Sequence, residues 1–473
     1  MKGRALRNFL AGIGSLAYFL QGYTQSVLNG LVTLDTFVRY FPSIDTVNAT
    51  DEVLKTHATM QGTVVAVYEA GGAFGGLLCF LLAHTLGRKR TVFWATVFQL
   101  IGGILQTSAF STSQLIVGRI ATGIGMGAYC ATIPLWICEC IGPAHRGKTV
   151  LLLGCFGDIG MVVANWVTYA FFYAGKTDLK WRIPLSLQLP GAVAILLLVF
   201  YLPESPRWLS ARGKQAKALE VFAALSGRKG KDPTDPEVQD ELDTTMKDAT
   251  ESAKSHRLYF RIFLAVFINM MGCLTGISVL TFFSTEVLET QMSFSADEAR
   301  LVSAGLELVR AAFAFVSMAL VDKLGRRPLM LCGAAGMMVS MAAMAILTKS
   351  GASQGMLYGA IVFQFMCMVF YPIGFHLMPT MYAAEIAPAK YRHKVTAASN
   401  GIHWLFNFMI AEVSPLAFNS LGNYYYIVYA CTNAVTLVVV YFVFLETKDL
   451  TLEEIESVFS HLTSYLKIQQ VRT

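Results

Sequence analysis

Residues 118–147, from Gly118 to Gly147, read GRIATGIGMGAYCATIPLWICECIGPAHRG. Arg119 opens an apolar run in which Gly123, Gly125 and Gly127 follow at alternate positions, with Ala121 and Ala131 nearby. Small residues allow one helix backbone to approach another closely inside lipid. An arginine in such a run is tolerated when it faces a protein interior or a water-filled cavity. The run ends at Glu139, with Arg146 seven residues further on. The stretch is therefore read as a tightly packed transmembrane helix whose polar end sits at a membrane edge.

The rest of the chain repeats this pattern. Of its 473 residues, 55% are hydrophobic and 14% charged, whereas soluble domains carry about a quarter charged residues. Apolar windows long enough to span a bilayer recur from end to end, about 12 of them. They fall at 9–31, 61–83, 91–110, 114–138, 149–173, 184–202, 258–285, 299–321, 328–347, 355–381, 394–420 and 423–445. The predicted fold is an all-α integral membrane protein, since helices satisfy their own backbone in lipid. The net charge of +6 is read as topology rather than as nucleic-acid binding. Placing both termini in the cytoplasm puts most Lys and Arg on that side. No cleavable signal peptide is apparent. The nine cysteines lie in or beside apolar spans, so no disulfide framework is expected. Cys138 and Cys140 are read as small apolar residues rather than metal ligands. Asn48-Ala49-Thr50 is a glycosylation sequon in a loop predicted to be external.

Residues 203–257 break the pattern. They open with Pro203-Glu204-Ser205-Pro206-Arg207-Trp208-Leu209 and turn polar, which reads as a cytoplasmic linker with amphipathic helices. The marks of the first half then return. Gly87-Arg88 is matched by Gly325-Arg326, Glu139 and Arg146 by Glu385 and Arg392, and Glu204 by Glu446. The members of each pair stand roughly 240 residues apart, the signature of two parallel six-helix repeats. The expected domains are a bundle at 1–202, the linker at 203–257, a second bundle at 258–445 and a cytoplasmic tail at 446–473.

These marks, with Trp181-Arg182-Ile183-Pro184, Trp404-Leu405-Phe406-Asn407-Phe408 and Glu446-Thr447-Lys448, span nearly the whole chain. On them the chain resembles the sugar porter family of the major facilitator superfamily, its fungal branch in particular. The resemblance implies twelve transmembrane helices in two six-helix bundles around a central substrate site, working by alternating access. It also implies a gate at the cytoplasmic helix ends, built from Arg88, Glu139, Arg146, Glu204, Arg326, Glu385, Arg392 and Glu446. Glu–Arg pairs there would join the bundles when the inside is closed. The alternative role for these charges is helix capping and topology marking.

The family's sugar contacts carry over only in part. Asn407 keeps the family's polar contact. Where the family has a Gln pair this chain has Gly272 and Cys273, with Ser278 following, and its aromatic pair becomes Phe282-Phe283. A further Gln position is Gly154; Thr380, Phe375 and His376 stand where the family places its tenth-helix aromatic contact. Each lost amide removes about 1 kcal/mol of net hydrogen bonding. The candidate substrate contacts are Asn407, Trp404, Thr380, Phe375, His376, Ser278, Gln25 and Arg310. Arg310 falls at a cavity-facing Asn position of the family and suits a substrate carboxylate, unless Glu307, three residues earlier, neutralises it. Proton-coupled members carry an Asp where this chain has Thr24, which leaves Arg119 without that partner. Glu69 and Asp158 are the carboxylates available at membrane depth to carry a proton in its place. His84 replaces an acidic residue in the first turn, whereas Asp322 is kept in the second.

The expected function is secondary transport of a sugar or polyol, as uniporter or proton symporter, with a sugar acid or cyclic hydroxy acid as the alternative substrate. A transporter-like nutrient sensor is the competing class, disfavoured by short tails. No metal-ligand spacing, nucleophile elbow or phosphate loop points to an enzyme or a cofactor. The expected partners are a small solute, protons if coupled, and membrane lipid. The chain is expected to act as a monomer, with the plasma membrane as its default location.

Overall fold

The computed structural model describes residues 2–47, 49–141, 143–175, 177–226, 257–349, 351–376, 378–388, 391–448, 450 and 452–460. Asn48 of the sequon and residues 227–256 of the linker lie outside them, as do the side chains of His84, Arg146 and Arg392. Among the described residues there is no strand.

The spanning helices of the first half are α1 (Arg4–Ser26), α2 (Asp51–Leu86), α3 (Arg88–Thr107), α4 (Thr112–Cys140) and α5 (Pro143–Phe172), followed by α6 in two pieces, Leu179–Ser186 and Gln188–Leu198. The second half begins with α7, also in two pieces, Leu258–Cys273 and Ile277–Glu286. Then come α8 (Ala296–Leu324), α9 (Arg326–Leu347) and α10, whose pieces are Gln354–Tyr371, the π-helical turn Pro372–His376, and Met378–Ile386. The last two are α11 (Arg392–Leu421) and α12 (Tyr425–Val443). Among the described residues, nine stretches are long and apolar enough to cross a membrane, and one of these, Lys394–Val443, holds both α11 and α12. The helices outside those stretches, α1 and α3, carry more polar side chains: Arg4, Arg7, Gln21 and Gln25 in one, Arg88, Lys89, Arg90, Gln99 and Gln106 in the other.

Local chemistry sets the helix starts. Ser111 and Ser353 cap α4 and α10 by accepting from the backbone N–H of Gln114 (3.3 Å) and Met356 (3.4 Å). Ser295 and Glu298 form a reciprocal capping box at α8, which satisfies two otherwise orphaned donors. Gly87 and Gly325, at φ 83° and 92°, make the tight turns between α2 and α3 and between α8 and α9. A side chain at either would also strike a carboxylate, Glu204 or Glu446.

Within the first bundle α4 packs along α2 and α3, and α1 along α5. The glycines of α4 make this possible. A Cβ on Gly125 would stand 2.5 Å from the Ala95 carbonyl of α3, and one on Gly123 or Gly127 would strike the α2 backbone at Tyr68 or Gly72. In the second bundle α9 packs along α10 and α12, and α7 along α11. The bundles meet along two seams, α2 against α11 and α5 against α8. Beside these seams α7 breaks at Gly276 (φ 93°). The freed carbonyls of Leu274 and Thr275 accept from Thr432 (2.6 Å) and Asn433 (3.0 Å) of α12. Irregular backbone is tolerated at membrane depth only where protein re-satisfies it in this way. Beyond the bundles, the described linker forms two short helices, Pro206–Ala211 and Gln215–Ser226.

Candidate functional site

The α5–α8 seam holds a buried charge cluster. Asp158 on α5 faces Arg310 on α8, with Oδ1 and Nη2 3.2 Å apart. Glu307, one helical turn from Arg310, reaches the same nitrogen at 3.0 Å. His376 Nε2 comes from α10 to within 2.8 Å of Asp158 Oδ2. Asp158, Glu307 and Arg310 are almost wholly buried, whereas the His376 side chain keeps 18% of its surface exposed. Arg310 also donates to Thr281 Oγ1 of α7 (3.0 Å) and lies against the Met161 sulfur. The π-helical turn sets His376: an i→i+5 turn shifts the register of the residues it carries.

A polar row runs along α7 and α11. Ser278 Oγ donates to Asn407 Oδ1 at 2.7 Å, and Asn407 Nδ2 lies 3.1 Å from His403 Nε2. The other nitrogen of His403 lies 3.1 Å from Cys273 Sγ. Trp404 fills the α2–α11 seam against Tyr68 and Met126. On the first-bundle side of that seam Gln21 donates to Gln25 (2.6 Å), and Gln25 to Glu69 Oε1 (3.3 Å). Arg119 is held by the carbonyls of Thr24 (3.0 Å) and Val65 (3.2 Å), with its guanidinium 4.5 Å over the Tyr68 ring. Backbone oxygens thus take over from the acid that Thr24 replaces. Phe375 is buried beside His376, while Thr380 is exposed on the segment beyond the π turn.

A second polar set has no counterpart among the sequence-predicted site residues. Asn29 of the first bundle donates to Ser284 Oγ (2.9 Å) and accepts from the backbone N–H of Thr285 (3.2 Å), both on α7. Asn165 reaches Asn29 and Ser26 at 3.0 and 2.7 Å. Nearer the loops Thr46 donates to Glu286 (2.7 Å), and Thr33 contacts Glu289 (3.2 Å) and Arg300 (2.9 Å). Arg300 and Glu289 are themselves paired at 2.5 Å. The bonds made by Asn29, Thr33 and Thr46 bridge the bundles at the end opposite the Gly-Arg turns. Polar residues inside apolar windows were the available signal, but their pairing needs residues about 255 positions apart to meet.

At the turn end the described charges pair within each bundle, while the side chains of Arg146 and Arg392 lie outside the described residues. Arg88 forms a two-point pair with Glu139 (2.7 and 2.8 Å), inside the first bundle. Arg326 pairs with Glu385 at 2.7 Å, inside the second. Glu204 accepts from the backbone N–H of Arg88 (2.8 Å), and Glu446 from those of Arg326 (2.9 Å) and Arg327 (3.0 Å). Each Gly turn starts a helix whose free N–H groups need an acceptor, and a carboxylate nearby serves.

Two helix bundles that meet along buried polar seams, the second with α7 and α10 broken beside them, define a membrane-embedded secondary transporter. Residues 10–459 match the family described as sugar (and other) transporter, and the chain belongs to it, the sugar porter family of the major facilitator superfamily. A sugar transporter of Saccharomyces cerevisiae, STL1, is 29% identical over 97% of this chain and 82% of its own length. A quinate permease of Neurospora terricola is 27% identical over 95% of this chain and 88% of its own. The proton:xylose symporter XylE, solved with 6-bromo-6-deoxy-D-glucose bound, shares the fold with a TM-score of 0.78. That match has 23% identity and covers 96% of this chain and 99% of XylE.

Proposed function

We propose that the protein carries a neutral sugar or polyol across the plasma membrane by alternating access, as a monomer with both termini in the cytoplasm. The two bundles, 1–202 and 258–445, would rock about the seams around a site between them. One observation carries the neutral-substrate reading: Arg310, the cation a substrate acid would need, is already engaged by Asp158 and Glu307. A carboxylate arriving there would have to displace one of two buried carboxylates and leave it unpaired, which is strongly unfavourable. The amides and hydroxyls nearby, Asn407, Gln25, Ser278 and Gln21, are the groups that match sugar hydroxyls. In this orientation the bonded end, at Asn29, Thr33 and Thr46, is external and shut.

The likeness to a quinate permease supports a second reading, in which Arg310 takes a cyclic hydroxy acid. A thermal-stability screen of the purified protein separates the two, since a ligand of the folded state raises its stability by mass action. Neutral sugars or polyols are expected to raise the melting temperature. Stabilisation by quinate-like acids alone, abolished in Arg310→Gln, would establish the acid reading instead.

A further inference from the structure

We propose that Asp158, Glu307, Arg310 and His376 form one proton-binding site that bridges the two bundles, so that closing the α5–α8 seam and taking up a proton are one event. The proposal rests on the transport reading above and adds its coupling.

The argument is one of charge and place. With His376 neutral, Asp158 and Glu307 set two negative charges against the single positive charge of Arg310. One proton makes the buried set neutral. An excess charge at membrane depth is costly, and the set lies on the interface itself. Asp158 belongs to the first bundle and its three partners to the second, so parting the seam uncovers the carboxylates to water and removes the reason to hold the proton. His376, partly exposed and 2.8 Å from Asp158, is the group through which a proton enters. Among the described residues the titratable groups facing the set are Cys155 on α5, Tyr371 beside His376 on α10, Cys273 on α7 next to Tyr371, and His403 on α11, whose Nε2 faces the Asn407 amide nitrogen and so accepts from it as a neutral imidazole. None of them supplies a second cation. Glu69 does not serve in the same way, because its hydrogen-bond partner Gln25 and its neighbouring cation Arg119 both lie in the first bundle. Thr24 cannot titrate, and its hydroxyl is spent on the Leu20 carbonyl (2.8 Å).

The test has two arms. In the first, the purified protein is stepped from alkaline to mildly acidic pH, and proton uptake is followed with an indicator dye. Wild type is expected to take up one proton more per molecule than Glu307→Gln or Asp158→Asn. Carboxylates that are simply ion-paired would stay ionised throughout this step, so equal uptake by all three proteins overturns the proposal. The second arm uses proteoliposomes with labelled D-xylose, glycerol, sorbitol and quinate in turn. Exchange without any gradient shows whether a solute is carried. If none exchanges, the transport reading fails, and the dye count still decides the proton site. For a solute that exchanges, an inward proton gradient is expected to drive accumulation in wild type. In Glu307→Gln the inside-to-outside ratio is expected to fall to unity, whatever the exchange rate. A ratio of unity in wild type, or an undiminished ratio in the variant, overturns the proposal.

Discussion

At the scale of single residues, Asn407 is the substrate contact proposed from the sequence, and the structure places it in the polar row of α7 and α11. Its amide already bonds Ser278 and faces His403, so it is oriented before any solute arrives. Asn407→Ala is expected to lower solute uptake at least tenfold, the loss of about 1.4 kcal/mol or more of binding, while the protein elutes as a folded monomer. Uptake at the wild-type level would remove Asn407 from the site. Arg119 shows how much of this scale was legible. Its burial followed from a charge within an apolar run, whereas its partners did not. Carbonyls of Thr24 and Val65 carry no side-chain signature, and only the packing of α1, α2 and α4 brings them together. Arg310 is similar: Glu307 was visible at helical spacing, and Asp158 and His376 came from other helices.

At the scale of elements, the small residues of α4 are its decisive feature. Gly125→Leu is expected to prevent α3 and α4 from closing, because the new side chain would meet the Ala95 carbonyl within 2.5 Å at its first carbon. Overpacking of this kind typically costs 1–3 kcal/mol, occasionally more. The variant should aggregate or melt earlier on fluorescence-detected size exclusion. Ser295→Ala tests a milder device. Loss of the α8 cap is expected to cost about 1 kcal/mol, read as a lower melting temperature, with hydrogen exchange rising in the first turn of α8. The spans were readable because each is a local run of apolar residues. Their interruptions were harder to see. The breaks in α7 and α10 depend on α12 satisfying the freed carbonyls and on a π turn that hydropathy does not register.

At the scale of the whole molecule, the bonds at the loop end tie the two bundles together there. Asn29 alone makes two of them across the bundles. Asn29→Ala is expected to remove roughly 1–2 kcal/mol of preference for the closed end, shifting the open-to-closed ratio by about 5–30-fold. Hydrogen exchange in residues 27–34 and 280–290 should accelerate; unchanged protection would mean that Asn29 does not hold this end shut. At the turn end the described ion pairs, Arg88–Glu139 and Arg326–Glu385, lie within bundles. Arg326→Ala is accordingly expected to destabilise the second bundle, measured as a lower melting temperature, because it leaves Glu385 without its guanidinium.

The sequence by itself determined the class of protein, the repeat and the family. Apolar length, charge asymmetry and matched motifs are local properties, and the bilayer admits few folds for a chain that has them. Tertiary structure alone decided which charges meet. Asp158, Arg310 and His376 lie on three helices and in two bundles, and no periodicity links them. Their pairing follows from how α5, α8 and α10 lie against one another, since a charge buried in lipid must find its partner wherever packing places one.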